Sequence, residues 1–566
     1  RIMSEALRRG HPALLGAIAG VALGDVLLAL NPHLLAPAPL LRVLAGCALF
    51  GALALAPFGL LVKEPGTPSP GFWGAATLLL LLLAGFAEVE RRTYYTFLGN
   101  GTRRLLVGVA LVGAASALAL LLAARVRPKG RNAALVLFGP LALLSAVPLL
   151  ARRGPERAAL APERAIPRTA TRSLLVIGLE GVSWDLLSRA VSEGTLPVFA
   201  RLLDEGAGGP LGTLVPHDRA ALWTTVATGK LPRKHGVVTG RSMETPLGVL
   251  RLLPRLPGFT GPIRPFPVRE VPDDESPRRS LAFWEILAAR RHEAAVLGWP
   301  AASPPRPGLV LWATEEFFAA DEDDPTDGDA LPAEAAARAR LLRLGAANLD
   351  RPLVRSLEPG AIPDETKRLA GSAAGAARDL GIAGATLAAV PTGSGNVSAL
   401  VLSGLAGPAR VYGPAAEPRR YFGRPEGDVE TREKALLAYY RFLDDTIGDL
   451  LEREGRDRTI CVFSPVGFGP APLLSGLVDL LRGRAPAASP AAGADGFLVL
   501  WGSGIRSDVR LTSAEVVDLA PTLLALAGEP IARDMDGRVL AEAFDERFAQ
   551  GTSIPVVTTF EPDGPQ

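Results

Sequence analysis

Five apolar stretches, each close to membrane-spanning length, fill the first 153 residues of this 566-residue chain and then stop. They lie near 12–31, 42–62, 72–88, 104–125 and 132–151. A bilayer core takes roughly 20 apolar residues in one helix, so the pattern predicts a membrane domain, residues 1–153, of about five transmembrane helices. The third stretch is short. The first contains Asp25, an acid that must face other helices if it lies in hydrocarbon. Because the stretches recur, they do not read as one cleavable signal ahead of a soluble protein.

Flanking charge bears on orientation. Arg8 and Arg9 favour an inside N-terminus, and Arg125, Arg127, Lys129 and Arg131 agree with five spans. Arg91, Arg92, Arg103 and Arg104 then fall outside, against the rule. Five spans put the remaining residues outside the cytoplasm. Basic residues are mostly Arg, and Ala, Gly and Pro are abundant, which reads as a GC-rich bacterial coding bias; with the apolar stretches, the expected place is the bacterial cell membrane, as a multi-pass protein. A net charge of only +2 gives no reason to expect a nucleic-acid partner. Cys47 and Cys461 both sit in apolar runs, where cysteine behaves as a small hydrophobe.

After an Arg/Pro/Ala-rich linker (154–172) the pattern changes. Leu174–Gly178 is a short apolar strand, followed by a turn and a helix from Val182 to Glu193. A second strand–helix unit spans Phe283–Pro300, and 303–430 is rich in Pro and Gly, which predicts loops and insertions. A helix over 431–453, strands at 459–463 and 497–501 and a helix over 514–527 follow. The expected architecture is an α-helical membrane region followed by an α/β domain over 173–545, with a mostly parallel sheet, helices on both faces and a tail over 546–566.

The motifs are more specific. Val176-Ile177-Gly178-Leu179-Glu180-Gly181-Val182-Ser183-Trp184-Asp185, Gly194-Thr195-Leu196-Pro197, Trp223–Lys230 and Lys234-His235-Gly236 occur in that order. Phe283–Leu287, Gly298-Trp299-Pro300, Tyr439–Asp444, Asp518–Leu524 and Asp534–Arg538 continue it. Together they resemble the type I phosphodiesterase/nucleotide pyrophosphatase family of the alkaline-phosphatase superfamily, across roughly 173–545. The resemblance implies that superfamily's fold and a two-zinc phosphoester chemistry, in which one ion activates a Ser or Thr nucleophile and the other clamps the leaving oxygen.

The implied ligand set is an Asp after the first strand, the nucleophile, a mid-chain Asp and His, an Asp-His pair and a last His. In this chain those positions read Glu180, Arg219, the segment Ser403–Arg410, Pro465-Val466 and Ala494. Glutamate can bind zinc, but a guanidinium is neither nucleophile nor ligand. The segment 403–410 holds no carboxylate and no imidazole. The five histidines are His11, His33, His217, His235 and His292, so none lies in the later part of the chain from which the family's three histidine ligands come. No shift of register restores the set.

Phosphoester hydrolysis demands acceleration of up to ~10²¹-fold, and a site stripped of its catalytic unit retains only about 10³–10⁴. The sequence therefore predicts a domain with no zinc or other cofactor and no catalytic residues. Arg219 reads either as a replacement for lost metal charge that pairs with Glu180 and offers a place for an anion, or as a solvated loop residue. Ser464, Thr224 and Thr225 have no base or metal in view, and the neighbours His217, Asp218 and Arg219 read as a loop rather than a converging cluster. The expected partners are the lipid bilayer and other subunits of a membrane complex, for which the chain acts as a binding or scaffolding subunit. The alternative is a membrane-bound phosphohydrolase or phosphotransferase with a nonstandard site. A third reading gives the function to the membrane half.

Overall fold

The apolar runs form helices, and four of them are long and apolar enough to cross a membrane among the described residues. The structure is a computed structural model. It describes residues 11–61, 70–126, 131–150, 172–254, 268–273, 278–300, 302, 305, 307–319, 330–332, 363–389, 395–417, 429–454, 457–470, 488–489, 495–551 and 554–561. Residues 154–171 of the linker and Ala494 lie outside these. The chain divides into two compact units, one of residues 1–157 with 238–277, the other of 158–237 with 278–566.

The first unit holds helices α1 (His11–Leu30), α2 (Pro37–Leu55), α3 (Pro70–Thr93), α4 (Asn100–Val126) and α5 (Arg131–Leu150). The first four carry the membrane-length apolar segments; α5 contains Pro140 and Pro148 and a shorter one, Phe138–Pro148. Helix α1 packs against all the others. Its apolar window is 72% buried against 22–39% for the next three, which makes it the central helix. Glycine allows that approach: a Cβ on Gly20 would stand 2.0 Å from the Cys47 carbonyl oxygen, and one on Gly16 equally close to that of Gly51. Leu41, Leu53, Leu82 and Leu111 point outward.

The same unit includes an excursion that the sequence assigns to the soluble half. Strands Arg241–Thr245, Gly248–Leu250 and Arg269–Pro272 form a small antiparallel sheet. Asn31, just past α1, fastens it: its Oδ1 accepts from the Arg251 and Leu252 N–H groups at 2.6 and 3.1 Å. Its Nδ2 donates to the Leu252 carbonyl at 2.8 Å.

In the second unit the sheet strands are β1 (Leu174–Leu179), β2 (Ala207–Gly212), β3 (Glu293–Leu297), β4 (Leu309–Ala313), β5 (Ala330–Leu331), β6 (Asn396–Leu402), β7 (Thr459–Ser464), β8 (Gly496–Gly502), β9 (Val509–Arg510) and β10 (Ala514–Glu515). Their order is β9-β2-β8-β7-β1-β6-β3-β4-β5, with β10 also on β2. The central strands β7, β1, β6, β3 and β4 run parallel; β8 is antiparallel to both its neighbours, and β5 to β4. Buried on both faces, β1, β6 and β7 are predominantly apolar, as a parallel sheet requires. The helices used below are α6 (Trp184–Ser192), α7 (Arg219–Thr228), α8 (Phe283–Ala289), α9 (Pro363–Ala389), α10 (Ala406–Ala416), α11 (Val429–Glu454) and α12 (Leu519–Leu526).

Within the Pro/Gly-rich stretch 303–430 the described residues include β4, β6, α10 and the 27-residue helix α9. One expectation needs correction. The helix expected over 514–527 is β10, a 3₁₀ turn and the shorter α12. Asp518 ends the first part and starts the second, because its carboxylate accepts from the Glu515 and Arg538 N–H groups at 3.0 and 2.8 Å.

Candidate functional site

In a parallel sheet, the loops after the carboxyl ends of the strands converge on one edge. Here that edge gathers Glu180 after β1, Glu315 after β4, Ser403 after β6 and Pro465 after β7. Glu180 is held by its own N–H, which donates to the Leu402 carbonyl at 3.1 Å. The turn behind it needs glycine, since Gly181 has φ +98° and a Cβ would meet Phe468 at 3.0 Å and Ala406 at 3.1 Å.

Arg219 enters from the first turn of α7. Asp218 caps that helix, its Oδ1 accepting from the Ala221 N–H at 3.0 Å. The guanidinium Nε donates to Glu180 Oε1 and Oε2 at 2.8 and 2.9 Å, and Nη2 donates to Glu315 Oε2 at 2.6 Å. Glu315 is shared: Arg378 Nη1 lies 3.2 Å from its Oε1, and the Ser403 hydroxyl donates to the same oxygen at 2.8 Å. Arg378 Nη2 donates to Ser403 Oγ at 2.9 Å and closes the circuit. Two carboxylates and two guanidiniums thus neutralise one another.

The titration behaviour follows. Burial opposes the charge on Arg219, yet Glu180 and then Glu315 outweigh it and hold its pKa above the ordinary value. For Glu315, burial acts to raise the pKa, but Arg219 and Arg378 win and lower it. His217 is pushed down to about 4 by burial and by Arg219, and among the described residues its Nε2 has no hydrogen-bond partner. One position along α9 from Arg378, Asp379 is fully buried. It accepts from the Gly404 N–H at 3.1 Å and the Tyr439 hydroxyl at 3.0 Å. Burial lifts it to about 7 against the pull of Arg378, the Gly404 N–H and Tyr439.

Pro465 and Val466 are buried in a loop that supports itself through apolar packing and a Ser464 hydroxyl bonded to the Val466 carbonyl at 3.0 Å. Neither side chain offers a donor atom. The oxygens of Glu180 and Glu315 are taken up by guanidinium N–H groups. Among the described residues, no three of His, Cys, Asp and Glu stand together as a metal-binding group. This donor set does not fit the two-zinc centre that the sequence resemblance implies.

Sequence reading pairs Glu180 with Arg219 and empties 465–466, but it misses Glu315, Arg378 and Asp379. It treats 403–410 as blank, although Ser403 and Gly404 bind the two acids that reach that place from α9 and from the loop after β4. His235 lies away from the circuit and is fully buried. Its Nδ1 accepts from the Val237 N–H at 3.2 Å, so Nε2 carries the proton and donates to Thr225 Oγ at 3.0 Å. Burial, then Arg278, lowers its pKa to about 3.

The model of the family described as type I phosphodiesterase / nucleotide pyrophosphatase matches residues 174–482, more than half of the chain. Similar solved structures include a phosphonate monoester hydrolase, SpPMH from Silicibacter pomeroyi, at 16% identity and TM-score 0.38, covering 68% of this chain and 77% of that one. Wild-type alkaline phosphatase PafA aligns at 12% identity and TM-score 0.43, covering 68% of this chain and 100% of that one. Murine ectonucleotide pyrophosphatase/phosphodiesterase 5 aligns at 11% identity and TM-score 0.33, covering 66% and 100%. No curated protein sequence matches.

Proposed function

Because the chain belongs to the type I phosphodiesterase/nucleotide pyrophosphatase family yet carries a guanidinium at the position that the resemblance gives to the nucleophile, we propose that it is a catalytically silent member of that family. It is held in a bacterial cell membrane by its N-terminal helices, and its α/β unit, outside the cytoplasm, serves as a binding or scaffolding subunit of a membrane complex. One observation carries the reading. Arg219 bonds Glu180 at 2.8 Å and Glu315 at 2.6 Å, so the two acids best placed to hold a metal are spent on an internal ion pair. The same observation favours scaffolding over capture of an anion at Arg219, since an incoming anion would have to displace a carboxylate from Nε or Nη2. Four apolar helices of membrane-crossing length support the anchoring.

The test is zinc analysis of the full chain purified in detergent, together with hydrolysis of a bis-aryl phosphodiester and identification of co-purifying subunits. The expected result is no stoichiometric zinc, no metal-dependent turnover and a defined set of companions. Stoichiometric zinc with metal-dependent turnover would overturn the reading in favour of a phosphohydrolase with a nonstandard site.

A further inference from the structure

Asp25 sits on α1, the central helix of the first unit, with no measurable exposure, and among the described residues neither carboxyl oxygen has a hydrogen-bond partner. The depth at which it lies can be read from the fastening of the excursion. Asn31, six residues beyond Asp25, donates to the Leu252 carbonyl, and Tyr94, just past α3, donates to the next carbonyl, Leu253. The ends of α1 and α3 therefore lie side by side. At about 1.5 Å of rise per residue, Asp25 is about 9 Å below that end and Glu90, four residues before Tyr94, about 6 Å. Two fully buried carboxyl groups thus stand at nearly the same depth in a mainly apolar bundle.

Among the described residues, the surrounding elements bring no cation to Asp25. On α2 the nearest titratable neighbour is Cys47, whose Cβ lies 3.4 Å from where a Cβ on Gly24 would stand. Helix α3 carries Glu90 and, beyond it, Glu88 paired with Arg91 and Arg92. On α4, Arg103 donates to Asn100 and lies over the Tyr95 ring, while Arg104 is exposed. Helix α5 has no titratable residue after Arg131. From the excursion, Arg251 pairs with Asp273, and the ring of His33, at the end of α1, meets the Val249 carbonyl.

An ionised carboxylate cannot persist unpaired in such surroundings, and it takes up a proton instead. As a packing element the residue is a poor choice, because Leu would fill the space without the cost of an unpartnered polar group. What Asp25 has and a leucine lacks is a proton it can release. We propose that Asp25 is a reversible proton-binding site in the helical unit, protonated in the packed bundle and discharged when the bundle admits water. The ligand is the proton, and the activity is separate from anything the α/β unit does.

Infrared spectroscopy of the full chain in lipid vesicles tests this. At pH 7 a protonated-carboxyl carbonyl band is expected, lost in Asp25→Asn and disappearing reversibly as the pH is raised, with helical content unchanged by circular dichroism. Asp25→Glu, which keeps a carboxyl, should shift the band rather than remove it and serves if the Asn variant fails to fold. Glu90→Gln should leave the Asp25 band in place. Identical spectra for the native chain and Asp25→Asn would overturn the proposal. So would a band that persists under alkali until the helices unfold, because Asp25 would then be a permanently neutral core residue.

Discussion

The charge circuit at the sheet edge hinges on Arg219, which touches both glutamates. Removing it leaves two carboxylates facing each other with only Arg378 between them. Breaking a buried pair costs about 3–5 kcal/mol. The Arg219 side chain is 41% exposed, so solvent screening reduces the effect. Arg219→Ala is expected to lower stability by about 1–3 kcal/mol in thermal unfolding of the detergent-purified chain. Adding Glu180→Gln and Glu315→Gln should restore most of the loss; failure to restore it would mean that the arginine acts through packing. His235 gives a prediction with the opposite chemistry. Its ordinary pKa of 6.5 falls to about 3 in the fold, so the unfolded chain binds a proton that the folded one refuses. Its contribution is complete above pH 6.5 and is lost as the pH falls toward 3, about 2 kcal/mol by pH 5. His235→Gln removes that proton, so the variant's stability should fall less than the native chain's between pH 6.5 and pH 5. Parallel slopes would show that His235 is not the group that titrates.

At the scale of elements, the helical unit depends on close approach of α1 to α2. A Cβ on Gly20 would stand 2.0 Å from a backbone oxygen, an obstacle that no rotamer removes. Gly20→Val is therefore expected to separate the helices and broaden the size-exclusion profile in detergent, whereas Gly74→Ala, where a Cβ meets nothing within 4 Å, should leave it unchanged. Much of this level was legible in the sequence. Continuous apolar runs marked β1, β7 and β8, and hydrophobic length marked the apolar helices. Counting back from Trp223 placed Arg219 opposite Glu180. The contribution of α9 was hidden, because a helix built mainly of Ala and Gly within a Pro-rich stretch has little periodic contrast. Glu315 was missed for a different reason. It is 96 positions from Arg219, and only the convergence of loops at the ends of parallel strands brings the two together. The apolar run before it was the available signal: a polar residue just past such a strand is a site candidate by topology alone.

For the whole molecule, the proposed silence raises the question of whether it rests on one position or on the whole ligand set. A metal centre is a cooperative object. Its binding energy, about 10–16 kcal/mol in a well-formed zinc site, appears only when most ligands are present, and catalytic groups that act as a unit are far from additive. The loop after β7 keeps the frame of such a site, and Arg219 stands at the nucleophile position that the resemblance implies. Restoring these three places with Arg219→Thr, Pro465→Asp and Val466→His supplies a nucleophile and one ligand pair. It also frees Glu180 and Glu315, which would then face one another beside a new aspartate. Segment 403–410 still offers no carboxylate or imidazole, and position 494 remains alanine. The triple variant is therefore expected to bind no stoichiometric zinc, to show no metal-dependent turnover of a bis-aryl phosphodiester, and to unfold at lower temperature than the native chain. Elemental analysis, the hydrolysis assay and thermal unfolding on one preparation check all three. Zinc at one or two equivalents with turnover would mean that the missing donors come from elsewhere in the chain, and that the family's chemistry lies three substitutions away rather than dismantled.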